Sequence, residues 1–314
     1  MNKEIQVGLI GVGTMGTPIG LHILEAGFPL VVHDIRRRQI EPHVAKGAQA
    51  AESAKAVAEQ CDVIFTSLPG PDEINDVNYG VDGLLAGISP GKVYFDLSTS
   101  SPSRSRELHA EYQKRGAHML DAPVSGGPYG AESGKLAIWV GGDQEVFERY
   151  LPLLQTLGDE VLRVGDSGAA SIAKLVHNCA GFVMYSSLAE VFSMGMKAGL
   201  EADILWQTIR KGLNGRRPLF DCLERNFMPH QYEKADFSLR LAEKDCRLAL
   251  ELAREFEVSM PLAETANQQQ KAAMDRGWQA KDARVPMLLQ MEQAGVEPPA
   301  VPVERVQEIL NDNH

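Results

Sequence analysis

The chain has 314 residues, which is longer than the commonest single domain, so two domains are the natural expectation. It is 44% hydrophobic and 23% charged, as an ordinary globular protein is, and its formal net charge of −11 argues against nucleic acid or an anionic membrane surface as a partner. The four cysteines are scattered, without C-x-x-C pairs or metal-ligand spacing, which favours reduced thiols, a cytoplasmic location and no metal site.

Between residues 5 and 165, short apolar runs rich in β-formers alternate with helical segments. This alternation predicts an α/β domain with a doubly wound, mostly parallel sheet. The predicted strands are residues 5–10, 30–33, 63–68, 93–97, 118–121, 136–140 and 161–164, and the predicted helices run from the first glycine motif to about residue 27 and near 51–60, 102–115 and 144–156.

After Gly168 the strand pattern disappears and helical periodicity takes over. We therefore expect a first domain over residues 1–167 and an all-α second domain over residues 168–314, with the boundary just before Gly168. The predicted helices of the second domain are residues 168–197, 201–212, 237–257, 260–275 and 303–311.

The stretch 168–197 lacks proline and is apolar around its whole circumference, which predicts a buried helix about 45 Å long that joins the two domains. Its charged and polar residues argue against a membrane span. Four polar or small residues, Lys174, Asn178, Gly181 and Tyr185, follow helical spacing and so share one face. We predict that this face forms one wall of an active site.

A glycine motif, Gly11-Val12-Gly13-Thr14-Met15-Gly16, lies between the first predicted strand and the first helix. With Asp34 at the end of the next strand, this context indicates a dinucleotide-binding loop. The first glycine permits a tight turn, the second lets the backbone approach a pyrophosphate, and the third allows close packing of helix and strand. The residues expected to bind the cofactor here are Gly11, Gly13, Thr14, Met15, Gly16 and Asp34.

Asp34 also bears on which dinucleotide binds. Its carboxylate would accept hydrogen bonds from the ribose hydroxyls and repel a 2′-phosphate, which favours NAD. Three arginines, Arg36, Arg37 and Arg38, follow directly and could receive that phosphate, so NADP remains open.

Four further stretches complete a recognisable pattern: Asp96-Leu97-Ser98-Thr99-Ser100-Ser101-Pro102, Asp121-Ala122-Pro123-Val124-Ser125-Gly126-Gly127, Gly168 with Lys174 and Asn178, and Lys244-Asp245. With the glycine motif they make the chain resemble the β-hydroxyacid dehydrogenases, the relatives of 3-hydroxyisobutyrate dehydrogenase and tartronate semialdehyde reductase. The resemblance implies a Rossmann-like first domain, a long interdomain helix and a helical second domain that forms homo-oligomers (dimers or tetramers). It also implies oxidation of a small anionic 3-hydroxy acid, or reduction of the matching semialdehyde, with NAD or NADP.

The same resemblance assigns roles to individual positions. Lys174 falls on the catalytic general acid/base and Asn178 on its polar partner. Ser125, Gly126 and Gly127 fall on the loop that holds the substrate carboxylate, and a Gly-Gly turn with a serine does offer unhindered donors for one. The positions that line the cofactor in this family correspond to Leu68, Pro69, Thr99 and Lys244. For Lys174 to exchange protons, its pKa must fall from about 10.4 towards roughly 7–8, through desolvation and a nearby cation such as Lys244.

Some positions depart from the family pattern and leave the substrate undetermined. His177 stands where many relatives have asparagine, and Lys135 where threonine is usual. Arg216 and Arg217 lie in a loop that differs among relatives. Lys135 and the two arginines could bind a second anionic group on the substrate, or could simply be solvated.

Three alternatives share parts of this pattern. Imine reductases have the same architecture but generally lack the lysine found at Lys174, and 6-phosphogluconate dehydrogenases have a far longer second domain. A non-catalytic NAD-binding sensor would be expected to have lost the proton-transfer face, whereas Lys174, Asn178 and Lys244 are all present. The sequence favours a 3-hydroxyacid dehydrogenase of the β-hydroxyacid dehydrogenase family over all three.

Overall fold

The computed structural model describes residues 5–216, 223–235, 237–255, 257–295 and 297–311. The chain divides into two compact units, Met1–Ala180 and Gly181–His314. Residue 168, the predicted domain boundary, lies between the last strand and the long helix that follows it. As a domain boundary it stays a prediction.

The first unit is built on one nine-stranded sheet with strand order β3-β2-β1-β4-β5-β6-β8-β7, and β9 pairs with β8. The pairings from β3 to β6 and that of β8 with β9 are parallel, whereas β8 runs antiparallel to β6 and β7. The predicted doubly wound, mostly parallel sheet is therefore confirmed. The strands are β1 Val7–Ile10, β2 Leu30–His33, β3 Gln49–Ala50, β4 Val63–Thr66, β5 Val93–Asp96, β6 His118–Asp121, β7 Val124–Ser125, β8 Ala137–Gly141 and β9 Glu160–Gly165.

Helices cover both faces of this sheet, because successive strand residues point to opposite sides and both sides are apolar. Phe65 and Phe95 stack at 5.4 Å in one buried cluster, while their neighbours Ile64 and Tyr94 belong to the other. The helices are α1 Gly16–Glu25, α2 Glu41–Val44, α3 Ala54–Gln60, α4 Pro71–Tyr79, α5 Leu84–Gly87, α6 Pro102–Gln113, α7 Gly127–Ser133, α8 Gln144–Leu154 and the first part of α9 Ala169–Lys197.

The parallel strands end in register along one edge of the sheet. Their last residues, His33, Ile10, Thr66, Asp96 and Asp121, pair side by side across β2, β1, β4, β5 and β6. The loops that follow these strands therefore start next to one another, and these loops hold most of the predicted site residues. Ligands of open α/β sheets bind at this carboxyl edge.

Asp121, the last residue of β6, fixes the start of α9. Its buried carboxylate accepts hydrogen bonds from the Gly168 amide (2.8 Å), the Ser171 amide (2.8 Å) and the Ser171 hydroxyl (3.1 Å). Gly141 makes room for it, because a Cβ there would lie 2.7 Å from Asp121 Oδ1. A carboxylate at a helix N-terminus satisfies amides that have no partner within the helix. The first turn of α9 is thus held against the sheet.

The second unit is built from helices, as predicted. The described part contains one isolated β-bridge, between Ser238 and Asp282. Glu190 of α9 accepts hydrogen bonds from the amides of Leu262 (3.0 Å) and Ala263 (3.2 Å) and so caps α13. No helix among the described residues is long and apolar enough to cross a membrane. The helices after α9 are α10 Ala202–Lys211, α11 Leu213–Arg216, α12 Leu239–Glu255, α13 Pro261–Asp275, α14 Met287–Ala294 and α15 Val303–Asn311.

The prediction that residues 168–197 form one long helix is confirmed, but the prediction that this helix is buried is wrong for the single chain. Ile172, Val176 and Val183 are 48%, 64% and 53% exposed. At about 100° per residue these three share one face, opposite the face that carries Lys174. The apolar composition therefore reflects more apolar surface than one copy of the chain covers.

The Asp121 cap yields a stability prediction. In Asp121→Asn the remaining side-chain oxygen can still accept from one of the Gly168 and Ser171 amides, but the new NH₂ group faces the other amide, donor against donor. We therefore expect the free energy of unfolding, measured by urea denaturation, to fall by about 2 kcal/mol or more. Asp143→Asn is the matched control, because Asp143 caps α8 through the Val146 amide (2.9 Å) at an exposed position where asparagine caps equally well. Equal losses in the two variants would contradict the assigned role of Asp121.

Candidate active site

The loop between β1 and α1 carries the glycine motif, and neighbouring atoms explain two of its glycines. Gly11 has a φ of +84°, and a Cβ there would lie 2.4 Å from the Ser67 carbonyl oxygen. A Cβ on Gly16 would lie 1.9 Å from the Gly11 carbonyl oxygen. A Cβ on Gly13, by contrast, would meet only a guanidinium nitrogen of Arg36, at 3.7 Å. The space beside Gly13 is thus open, as a pyrophosphate approaching the backbone requires.

The two remaining residues of the motif lead into α1. Thr14 is exposed and Met15 is half-buried at the N-cap of the helix. No side chain caps this terminus, and its first turn contains no acidic residue. The positive end of the helix dipole therefore faces the loop without a counter-charge from its own first turn, which suits an anionic group.

Asp34 lies directly after β2 and is 8% exposed. Its Oδ2 accepts a hydrogen bond from the Val12 amide (3.0 Å), and its Oδ1 accepts one from the Arg36 amide (2.8 Å). Asp34 thus ties the end of β2 to the glycine loop, a structural role that the sequence did not indicate. Because a carboxylate offers about four acceptor positions, these two bonds leave room for ribose hydroxyls.

A cleft of about 320 Å³ opens beside Asp34 at the ends of β2 and β3. Two of the three arginines after Asp34 lie against carboxylates: Arg36 Nε is 3.7 Å from Asp34 Oδ1, and Arg37 forms an ion pair with Glu52. Their charges are therefore balanced locally. The cleft is lined by His33, Asp34, Ile35, Arg37, Ile40, Ala50, Ala51 and Glu52.

The loops after β4 and β5 hold the predicted cofactor-lining residues Leu68, Pro69 and Thr99. Leu68 lies beside the glycine loop, since its Cδ2 would be 3.0 Å from a Cβ on Gly11. The Leu68 amide donates to Ser98 Oγ (2.9 Å), which links the two loops. Pro69 is exposed and Thr99 is half-buried in the same loops.

Behind these loops lies a buried carboxylate, Asp96, the last residue of β5. Its Oδ1 accepts hydrogen bonds from the Thr66 hydroxyl (2.9 Å) and the Ser98 amide (3.0 Å). Burial raises the pKa of Asp96 to about 6, and the nearby Asp121 charge adds to that rise, while the hydrogen bonds oppose it. Asp96 thus fixes the backbone of the loop after β5 through the Ser98 amide.

Lys174 lies one turn after the residues that Asp121 caps. It is 9% exposed, and burial lowers the pKa of its ammonium group. Within the described part of the chain no carboxylate pairs with it, so burial acts unopposed. Asn178, four residues further along α9, shares its face and is half-buried. The direction of the pKa change is the one that proton exchange at Lys174 requires.

The predicted carboxylate loop follows β7. Ser125 ends that strand, and Gly126 and Gly127 lead into α7 with φ angles of +129° and +60°. No atom lies within 4 Å of the position that a Cβ on Gly127 would take. The two glycines are thus required by their backbone conformation, and Gly127 faces open space.

His177 joins this loop to α9. Its Nε2 lies 3.1 Å from Ser125 Oγ, and its ring packs on Trp139 of β8 at 5.1 Å. Burial and the Lys174 charge lower the pKa of His177. The sequence flagged His177 only as a departure from the family pattern and gave no signal for Trp139. The structure therefore places Ser125, His177 and Lys174 in one part of the first unit.

The remaining predicted residues lie on α9, α11 and α12 and in the loop after α7. Lys244 is exposed on α12 of the second unit, so its proposed effect on the pKa of Lys174 stays a prediction. Arg216 is exposed at the end of α11, and Arg217 lies outside the described residues. Lys135 is exposed after α7. Tyr185 lies within α9, but its side chain is outside the described part of the structure.

Taken together, the carboxyl edge fits a dinucleotide: an open Gly13, an uncapped helix N-terminus and an acidic residue after β2. The buried Lys174 and the loop of Ser125, Gly126 and Gly127 lie at the same edge. In the described ranges, no three His, Cys, Asp or Glu side chains come together as a metal site would require. The arrangement suits hydride transfer coupled to proton transfer.

Known proteins match the chain along nearly its whole length. Residues 6–165 match the NAD binding domain of 6-phosphogluconate dehydrogenase, and residues 168–298 match the NAD-binding domain of NADP-dependent 3-hydroxyisobutyrate dehydrogenase. The 2-(hydroxymethyl)glutarate dehydrogenase of Eubacterium barkeri is 36% identical over 85% of this chain and 89% of its own length. The NAD-dependent L-serine dehydrogenase of Pseudomonas aeruginosa is 34% identical over 89% and 96%.

Among solved structures, an imine reductase from Myxococcus stipitatus in complex with NADP⁺ has a TM-score of 0.79 over 90% of this chain and 98% of its own, at 18% identity. A likeness at that identity shows the shared fold alone. The sequence matches support the dehydrogenase reading over the imine reductase. The chain belongs to the β-hydroxyacid dehydrogenase family of NAD(P)-dependent oxidoreductases.

Proposed function

We propose that the protein oxidises a small 3-hydroxy acid with NAD in preference to NADP, or reduces the matching semialdehyde, with Lys174 as the general acid/base. The observation that carries this proposal is a buried lysine with a lowered pKa on a helix that Asp121 anchors to the carboxyl edge of the dinucleotide-binding sheet. The same edge supplies the glycine loop and the Gly126-Gly127 turn.

In the oxidation direction, Lys174 in its neutral form would take the proton of the substrate hydroxyl. A nicotinamide, when bound, would accept the hydride from the carbon that bears this hydroxyl, so that the alcohol is oxidised to a carbonyl group. In reduction, the Lys174 ammonium would return the proton to the forming alkoxide. Asn178 would hold the lysine or the substrate oxygen in line, since it lies one turn away on the same helix face.

The substrate carboxylate would bind at Ser125, Gly126 and Gly127. The open space beside Gly127 leaves its backbone accessible, and the serine adds a hydroxyl donor. Charge-assisted hydrogen bonds from amides and a hydroxyl suit a carboxylate without needing a fixed positive charge.

The names of two relatives narrow the substrate class. 2-(Hydroxymethyl)glutarate and L-serine both carry a CH₂OH group on the carbon next to a carboxylate. We infer that the chain acts on an acid of this type. The third substituent on that carbon differs between the two: 2-(hydroxymethyl)glutarate has a chain that ends in a carboxylate, and L-serine has an amino group. A substrate panel would show which substituent this protein accepts.

The preference for NAD follows from the charges around the cleft after β2. Asp34 and Glu52 contribute two carboxylates, and Arg37 is engaged by Glu52. A 2′-phosphate there would face the Asp34 carboxylate, which would repel it.

We further propose that two or more copies assemble through the exposed apolar face of α9, in a cytoplasmic enzyme. Ile172, Val176 and Val183 present apolar surface that a soluble monomer would seldom leave in contact with water. Because this face is opposite Lys174, assembly there would leave the catalytic face of the helix available.

For cofactor choice, we expect kcat/KM to be higher with NAD than with NADP. Asp34→Asn keeps an acceptor for the Val12 amide and removes the charge, so it should weaken NAD use by roughly tenfold or more. Glu52→Gln, the companion variant, should release Arg37 and improve NADP use. Steady-state kinetics with both cofactors decides, and an equal or higher kcat/KM with NADP in the wild type would contradict the proposal.

For Lys174, we expect the oxidation rate to rise with pH through an apparent pKa below that of free lysine, because the lowered pKa makes the neutral base available at lower pH. Lys174→Ala should lower kcat by about 10²–10⁴-fold with cofactor affinity preserved. Lys174→Arg should not restore kcat, because the arginine guanidinium keeps its proton near neutral pH.

The control for this test is Lys46→Ala, which removes an exposed lysine paired with Glu25 (3.3 Å) and should leave kcat unchanged. The melting temperature of Lys174→Ala separates a structural role from a catalytic one. A lowered melting temperature with near-normal kcat would refute proton transfer by Lys174.

For assembly, sedimentation velocity should give a mass of at least two chains for the wild type, and Val183→Glu should shift it towards one chain. Val81→Glu, at a 93% exposed position after α4, should leave the mass unchanged. A monomeric wild type would contradict the assembly proposal without affecting the proposed reaction.

A further inference from the structure

The contact between Ser125 and His177 links the proposed carboxylate loop to the helix of the proposed catalytic lysine. The two residues are 52 positions apart in sequence, and their side chains meet at 3.1 Å between Oγ and Nε2. Trp139 packs against the same imidazole, with 5.1 Å between the two ring centroids and 57° between the ring planes. The imidazole is thus held at both the Ser125 hydroxyl and the Trp139 ring.

The proton at this contact has two possible arrangements with different consequences. If the serine hydroxyl donates to Nε2, its only hydrogen is used and it cannot donate to a substrate carboxylate. If Nε2–H donates to Oγ, the hydroxyl hydrogen remains available, because a hydroxyl accepts and donates at once. A hydroxyl that accepts one hydrogen bond also becomes a better donor in the next.

The geometry points to His177 as a positioning residue: we propose that its Nε2–H donates to Ser125 Oγ and so directs the Ser125 hydroxyl towards the substrate carboxylate. This inference rests on the proposed function for the carboxylate loop. It assigns to His177 a role in acid recognition that acts through Ser125.

The kinetic test compares two variants of which only one has a side chain that can donate a hydrogen bond to Ser125. His177→Gln keeps an N–H donor at a reach similar to that of Nε2, whereas His177→Phe keeps a flat ring for Trp139 but has no donor. We expect His177→Phe to raise KM for the acid by roughly three- to tenfold with a smaller change in kcat, and His177→Gln to stay within about twofold of wild type. NADH affinity, measured by fluorescence, should be unchanged in both.

Coupling to Ser125 is tested in the same assay. Ser125→Ala should raise KM, and adding His177→Phe to Ser125→Ala should have no further effect, because the histidine acts through the serine. Independent, additive effects on KM would overturn the proposal. So would equal KM values for His177→Phe and wild type.

A second measurement does not depend on turnover. In protein labelled with ¹⁵N-histidine, the ring nitrogens of His177 can be assigned among the eight histidines by their absence in His177→Gln. At about pH 8, above the ordinary histidine pKa, we expect the proton on Nε2 and a shift of that resonance in Ser125→Ala. A proton on Nδ1 with bare Nε2 would overturn the inference. If no hydroxy acid is oxidised, the proposed function fails, and this spectrum still decides the hydrogen bond.

Discussion

The hydrogen bonds between the Asp121 carboxylate and the first turn of α9 join the two parts of the structure on which the candidate site depends. One part is a mostly parallel sheet at whose carboxyl edge we propose that the dinucleotide binds, and the other is a helix that carries Lys174. A carboxylate at the end of β6 is well placed for this, because a helix N-terminus offers unpaired amides and a partial positive charge. Lys174 then follows about one helical turn later. Its position relative to the sheet is set by the backbone of α9.

The same principle recurs along the edge. Asp34 holds the glycine loop through the Val12 amide, and Asp96 holds the loop after β5 through the Ser98 amide. In each case a carboxylate at the end of a parallel strand bonds to a backbone amide of a neighbouring or following loop. These acidic residues shape the loops, so they constrain where a cofactor and an acid can bind. At Asp96, burial disfavours the charged form of the carboxylate and raises its pKa to about 6.

Sequence patterns predicted the order of the main strands and helices because long periodic segments carry strong signals. They missed the two-residue strands β3 and β7 and six helices of four to nine residues, in which a period is hard to recognise: α2, α4, α5, α7, α11 and α14. The sequence predicted that the glycine motif and Asp34 form a cofactor-binding loop, but it gave no sign of the hydrogen bonds that Asp34 accepts from the Val12 and Arg36 amides. The Ser125–His177 contact joins distant positions, and no single-sequence pattern marks it.

The exposure of α9 is the clearest case in which composition and structure differ. A helix that is apolar around its whole circumference is expected to be buried, but its sequence does not say whether the same chain or another molecule covers it. The helical spacing of Lys174, Asn178 and Gly181 places them on one face of α9. That this face forms one wall of an active site stays a prediction.

The measurement that tests the central claim most directly is the fate of the hydrogen on the hydroxyl-bearing carbon. A panel of 3-hydroxy acids would first be assayed through cofactor absorbance, and the best substrate then supplied with deuterium on that carbon. The account predicts that the NADH formed is heavier by one deuterium, because the hydride passes directly from substrate to nicotinamide. Unlabelled NADH, or no turnover of any acid in the panel, would contradict it.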